Sequence, residues 1–355
     1  KNPLTDLFQN QILSLTFNMT VNKKPDFGDL INTIIFQHII QIFINLQYLN
    51  FCPSSIWYSK LSFDSLVRDL DSSNLLELHV TVNNCDDCLY LLDGRFNELR
   101  KFHVNISDIH STQLTINNTE NLPNLKCYSL YFNVEISAYD ELTVPLLHRM
   151  INLEELGLYV KICERNKFVD GHDLKKNIIN KLVRLKKIQF YFRSTIGLLN
   201  QINLPSNEDI QYTFKDFPDN HITSYVDYFS DTQQSRCHIY SHPYTLCEYY
   251  KITNNFPEDD NQILPIIEYP HLTTLDHTEA HLDYIELFLL DTKTRLSNNV
   301  YLVVIYQALR RVTEKFTRNA TRINGKKLRR LSLLGKYRIP KYVKEYFPHT
   351  EILNY

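Results

Sequence analysis

Glycine is scarce in this chain: only seven occur among 355 residues, and none falls in a GxGxxG or GxxxxGK[ST] pattern. That removes the backbone devices that usually cradle phosphates. GxSxG is missing as well, so there is no nucleophile elbow to support a Ser–His–Asp reading. No apolar run approaches the length of a membrane span, and no basic stretch followed by a cleavage motif opens the chain. It begins at Lys1 rather than Met, as a fragment would. Neither sign of charge dominates, the formal net charge being −2. The seven cysteines are odd in number and scattered, which fits a reducing compartment, cytoplasmic or nuclear. Four Asn-x-Ser/Thr triplets (Asn18, Asn105, Asn117, Asn319) are no more than so Asn-rich a chain produces by chance.

What the chain does have is a recurring template, apolar-x-x-apolar-x-apolar-x-apolar. Full copies read Leu75/Leu78/Val80/Val82, Leu99/Phe102/Val104/Ile106, Leu125/Tyr128/Leu130/Phe132, Leu153/Leu156/Leu158/Val160 and Leu185/Ile188/Phe190/Phe192. A shorter copy, Leu46/Leu49/Phe51, precedes them. The copies open roughly 24 to 32 residues apart, the period of a repeat array. Alternation with period two makes each copy a strand with one apolar face. A single such strand cannot bury that face, so neighbours must stack and the connecting segments must cover them. Helix-like spacing between Asp26 and Asn45, from Leu142 to Met150 and from Leu174 to Leu182 supplies the cover.

Further copies are expected at Leu272–Leu275, Tyr301–Ile305 and Leu328–Leu333, with helical patterns at 280–290 and 307–317. Ile210/Tyr212/Phe214 and the Cys237–Tyr240 region are candidate degenerate strands between them. The expected fold is therefore α/β: a leucine-rich-repeat solenoid with parallel strands on the concave face and helices and irregular loops on the convex face. Residues 1–355 form one array, most regular over 46–192, degenerate over 193–271, and completed by C-terminal repeats and a cap over 272–355.

Three polar clusters invite a chemical reading, and each has a plainer one. Cys85-Asp-Asp-Cys88 is half a zinc site with no second half at finger spacing. Cys237, His238, His242 and Cys247 lie in an aromatic-rich stretch that reads as a packed loop. His277, Glu279, His281 and Asp283 place the glutamate away from the HExxH position, so they read as a solvated helix start. No enzyme, cofactor or metal is expected from them.

The sharper signal is on the other face of the template strands. The seventh position holds Thr81, Asn105, Tyr131, Tyr159 and Tyr191, and the fifth holds His79, His103, Ser129, Gly157 and Gln189. Three tyrosines at one register would stand as a ladder, and tyrosine brings large amphipathic area at low entropy cost. Stacking for sheet stability is the plainer alternative. Tyr131, Tyr159, Tyr191, His79, His103 and Gln189 are the candidate partner-binding residues, the partner being a protein held on the concave face. Charge is segregated too: residues 206–291 carry sixteen acidic against three basic side chains, and 292–344 fifteen basic against Glu314 alone. Aromatic interleaving and a recognisable reading module are missing, so the basic end is not assigned to nucleic acid.

Several longer runs carry a resemblance: Leu46-Gln-Tyr-Leu-Asn-Phe-Cys-Pro-Ser-Ser-Ile-Trp57, Cys88-Leu-Tyr-Leu-Leu-Asp-Gly-Arg-Phe96 and Leu146-Leu-His-Arg-Met-Ile-Asn-Leu-Glu-Glu-Leu156. Asp173-Leu-Lys-Lys-Asn-Ile-Ile179, Ile266-Ile-Glu-Tyr-Pro-His-Leu272 and Phe316-Thr-Arg-Asn-Ala-Thr-Arg-Ile323 add to it. In these the chain resembles a lineage-expanded family of F-box-like leucine-rich-repeat proteins. The resemblance implies a substrate receptor, in which an F-box binds the adaptor of a cullin ubiquitin ligase and the repeats hold the target. No Leu-Pro-x-Glu-like F-box motif stands in this sequence, so adaptor binding belongs to no residue here. The expectation is a non-enzymatic protein-recognition scaffold, either the target-binding region of such a receptor or a free-standing adaptor unconnected to ubiquitin.

Overall fold

The computed structural model describes residues 9–17, 28–51, 60–63, 70–108, 121–197, 204–217, 222–229, 233–241, 248–250, 267–269, 272–278, 282–335 and 338–354. The chain divides into two compact units, Lys1–Ser241 and His242–Tyr355. Among the described residues no helix is long and apolar enough to cross a membrane.

Among the described residues the first unit has nine strands: β1 (Ser14–Thr16), β2 (Tyr48–Phe51), β3 (Glu77–Val82), β4 (Lys101–Ile106), β5 (Cys127–Ile136), β6 (Glu155–Ile162), β7 (Lys187–Gly197), β8 (Ile222–Phe229) and β9 (Gln234–Ser241). They form one sheet in the order β1-β2-β3-β4-β5-β6-β7-β9-β8. Every pair from β1 to β7 is parallel. The template copies lie in register, so their apolar positions form continuous rows. Leu78, Phe102, Tyr128, Leu156 and Ile188 are one row of register partners, and Val80, Val104, Leu130, Leu158 and Phe190 the next, all buried.

The cover on that buried side is short. Helix α1 (Gly28–Ile42) presents Phe36, Ile39 and Ile40 to the core. Helix α2 (Cys85–Leu91) starts at a capping box in which Asn84 accepts from the Asp87 N–H and Asp87 accepts from that of Asn84. Asp87 also accepts from the backbone of Phe63 at 2.7 Å, which pins an otherwise strandless segment to the helix start. Helix α3 (Val144–His148) follows a π-helical turn at Tyr139–Thr143, and helix α4 (Gly171–Leu174) precedes one at Lys175–Ile179. Helix α5 (Asn207–Tyr212) opens at a second capping box, Ser206 with Asp209.

The second unit carries a five-stranded parallel sheet, β10 (Glu248–Tyr250), β12 (Thr274–His277), β14 (Val300–Ile305), β15 (Leu328–Leu334) and β16 (Glu351–Asn354), in that order. A separate parallel pair joins β11 (Ile267–Tyr269) and β13 (Thr294–Leu296). Helix α6 (Leu282–Leu289) lies between β12 and β14 in the chain, α7 (Tyr306–Val312) and α8 (Arg322–Gly325) both between β14 and β15, and α9 (Lys341–Tyr346) between β15 and β16.

The α/β class is present, but the expected leucine-rich-repeat solenoid is not. A solenoid returns each coil in the same direction, whereas the nine-stranded sheet is mixed. After β7 the chain pairs back antiparallel through β9, and β8 adds to β9 antiparallel. The Cys237–Tyr240 region is thus a strand running the wrong way for a repeat. Ile210/Tyr212/Phe214 is no strand at all: Ile210 and Tyr212 lie in α5, because the Ser206/Asp209 capping box nucleates a helix there. The alternating apolar template records only that a strand has one buried face, and that condition is met by this mixed sheet equally well.

Candidate functional site

With the even-numbered side chains of β3 and β4 and their register partners buried, the alternate positions form rows on the opposite, open face of the sheet. One row runs Tyr48, Glu77, Lys101, Cys127, Glu155, Lys187; the next Asn50, His79, His103, Ser129, Gly157, Gln189; a third Thr81, Asn105, Tyr131, Tyr159, Tyr191. Over β3 to β6 the second and third rows are only half-buried.

The tyrosines do share one register, as their spacing predicts. Tyr131 and Tyr159 are half-buried neighbours with ring centroids 6.2 Å apart and planes tilted by 42°. Tyr191 departs from the expected ladder. It is 6% exposed, and its hydroxyl is 3.0 Å from Nδ1 of His238 on β9. The antiparallel strand supplies that partner, and burial raises the Tyr191 phenol above its ordinary value. Tyr191 is therefore a packed residue and not an exposed anchor. Around it β7 is buried on both faces, since Arg193, Ser194, Thr195 and Ile196 are buried too. Arg193 reaches Glu135 as an ion pair and stands opposite His238 in the ladder. Burial, then the guanidinium groups of Arg193 and Arg236, depress His238 to about 3.

Gln189 is half-buried at the β7 end of the second row, beside Gly157. Gly157 keeps that row low: a Cβ there would stand 3.0 Å from the Ser129 hydroxyl.

The histidines at the other end of the row form the tightest polar group on the face. The His79 and His103 rings stack with centroids 4.1 Å apart and planes 11° from parallel, as direct register partners on β3 and β4. His79 Nε2 is 2.8 Å from Glu77 Oε1, and Lys101 Nζ is 3.2 Å from the other carboxylate oxygen. Burial alone would raise the Glu77 carboxyl, but the hydrogen bonds of His79 and Lys101 bring it below its ordinary value. Burial, and next the neighbouring His79, lower His103 to about 4. Tyr48 leans over His79 at 5.6 Å. Glu77 stands at the third template position, outside the fifth and seventh positions from which the candidate residues come. Its signal was available, because period two puts the third, fifth and seventh positions on one face.

The other clusters hold groups poorly placed for chemistry. Cys85 and Cys88 sit buried at the start of α2. Burial pushes both thiols up, Cys88 to about 12, so neither is a ready thiolate. Cys88 Sγ lies 3.9 Å from the Tyr128 hydroxyl. Cys237 is buried, while His242 and Cys247 lie outside the described residues. His277 is buried against Phe288 at 5.2 Å and lowered to about 3 by burial; Glu279 and His281 lie outside the described residues. At the basic end Arg318 pairs with Glu286 at 2.7 Å and Arg330 with Glu351 at 2.9 Å, so part of that charge is answered within the unit.

Comparison with protein-family models, with curated proteins and with solved structures finds no match to this chain.

Proposed function

We propose that this chain is a non-enzymatic protein-recognition scaffold that holds a partner on the open face of its nine-stranded sheet. The observation that carries the reading is the adjacent pair Tyr131 and Tyr159, half-buried at one register and tilted against each other on two parallel-paired strands. Such a pair offers a broad amphipathic platform whose geometry is fixed before binding, which limits the ordering cost of association. In the next row Ser129 and Gly157 lie beside it, flanked by His103 and then His79 on one side and Gln189 on the other, and their polar edges suit the rim of an interface. Tyr191 drops out of the set, being buried against His238.

The sequence resemblance adds a finer version, in which the partner is the target of a cullin ubiquitin ligase and the chain is the target-binding region of its receptor. A free-standing adaptor unconnected to ubiquitin is the second reading. A cytoplasmic or nuclear location belongs to both, supported by Cys85, Cys88, Cys127 and Cys163 being free thiols. Affinity capture with residues 1–355 and with a Tyr131→Ala/Tyr159→Ala variant tests the reading. A captured protein that depends on the two tyrosines supports it. A captured protein that is turned over through a cullin ubiquitin ligase favours the first version, and one that is not favours the second.

A further inference from the structure

The group formed by Glu77, His79 and His103 has a chemistry that partner binding does not need. The parallel register of β3 and β4 sets the two imidazoles side by side, and the pleat brings Glu77 to the same face two residues before His79. One donor atom from each residue lies within 4.8 Å of the others. Among the described residues no other trio of His, Cys, Asp and Glu brings its donors so close. All three residues are half-buried, with 22% and 23% of the His79 and Glu77 side chains exposed, so the group is held in place yet reachable from solvent.

From this we propose that Glu77, His79 and His103 form a binding site for a divalent transition-metal cation of the Zn²⁺ or Cu²⁺ kind, bridging β3 and β4 on the open face. Two imidazoles with one carboxylate select such ions over Mg²⁺ and Ca²⁺, which favour all-oxygen sets. Ligand bonds of about 2.1 Å to a tetrahedral ion put donors roughly 3.4 Å apart. His79 Nε2 and Glu77 Oε1, at 2.8 Å, need only to open slightly. The stacked His103 ring needs a turn about its side-chain bonds to bring its donor in. Both strands are fixed by pairing on either side, so the backbone positions need not change. Lys101 holds the second oxygen of Glu77 and so orients the carboxylate, the task an outer-shell partner performs at a metal centre. Three protein donors leave a fourth position to water or to a side chain of a bound partner. The inference stands on these three residues and not on the tyrosine pair, so either reading can fail without the other.

The test is equilibrium dialysis of metal-stripped residues 1–355 against Zn²⁺, with bound metal counted by elemental analysis, and Cu²⁺ titration followed by electron paramagnetic resonance. The expected result is one saturable ion per chain, undisturbed by excess Mg²⁺, with copper signals split by imidazole nitrogen. Losing even an outer-shell partner costs about 10–100-fold in affinity, so His79→Gln/His103→Gln should weaken binding at least about tenfold. Circular dichroism checks that this variant is folded. Should it not fold, the copper spectrum of the wild-type chain and of Glu77→Gln decides instead, with no imidazole coupling in the wild-type chain overturning the proposal. Absence of saturable binding, or unchanged affinity in the folded double variant, overturns it as well.

Discussion

Replacing Leu156 by alanine probes the packing on which the open face depends. Leu156 lies on β6, 3% exposed, between its register partners Tyr128 on β5 and Ile188 on β7. Alanine removes three buried carbons, worth about 2.5 kcal/mol of transfer free energy at roughly 0.8 kcal/mol each. The residual cavity adds to that, by an amount set by how far the surroundings collapse. Collapse is restricted here, because β6 is hydrogen-bonded to a strand on each side and Tyr128 is held beneath Cys88. The expected total is therefore about 3–5 kcal/mol, the upper part of the range for such changes. Since the chain has two compact units, one global transition is an unsafe measure. Hydrogen exchange by mass spectrometry on peptides covering 127–197 reads the loss where it occurs, with peptides from 300–334 as an internal control. A loss below about 1 kcal/mol in the first set would refute the claim that this row is a tightly packed core.

Gly171→Ala should also destabilise the first unit, by about 1–3 kcal/mol as overpacking does. An added Cβ would meet the Thr213 carbonyl oxygen at 2.3 Å, and the Gly171 N–H already donates to Thr213 Oγ1 at 2.8 Å; a denaturant titration compared with wild type reads the cost. His238 should make stability fall with acid. Its folded pKa is depressed to about 3 from an ordinary 6.5, so the unfolded chain binds the extra proton between those values. Its contribution is fully present above pH 6.5 and is lost as pH falls toward 3, at up to about 1.4 kcal/mol per pH unit. Because His103, lowered to about 4, titrates in the same range, the measurement is the difference between wild type and His238→Gln from pH 7 to 4.5, which should shrink as pH falls.

Much of the first unit was legible in the sequence, because the template reports a physical requirement directly. Leu78, Val80 and Val82, and their equivalents as far as Ile188, Phe190 and Phe192, alternate because one face of each strand is buried. The shared register of Tyr131, Tyr159 and Tyr191 followed from the same spacing. What followed β7 was not legible. The pairing of β7 with β9 joins residues far apart in sequence, such as Tyr191 and Tyr240, and alternation is blind to strand direction. Burial of Tyr191 depends on that pairing, so the sequence read it as exposed. The Ile210/Phe214 error has a local cause. Apolar residues two apart imitate a strand, but the Ser206–Asp209 capping box just before them starts a helix. Glutamate does not recur on the strands next to Glu77 as tyrosine does along its row, but the pleat puts Glu77 on the face of His79.

The central claim, that the open face around Tyr131 and Tyr159 is a protein-binding platform, is tested most directly by quantitative capture with matched baits. Wild-type residues 1–355 and the Tyr131→Ala/Tyr159→Ala variant are compared at equal loading, with folding verified by circular dichroism. A hot-spot loss of about 2 kcal/mol corresponds to a drop of roughly thirtyfold in affinity. The account predicts at least one specifically retained protein whose binding to purified wild-type chain falls by about that factor in the variant. Equal retention of every specific partner by a folded variant would contradict it.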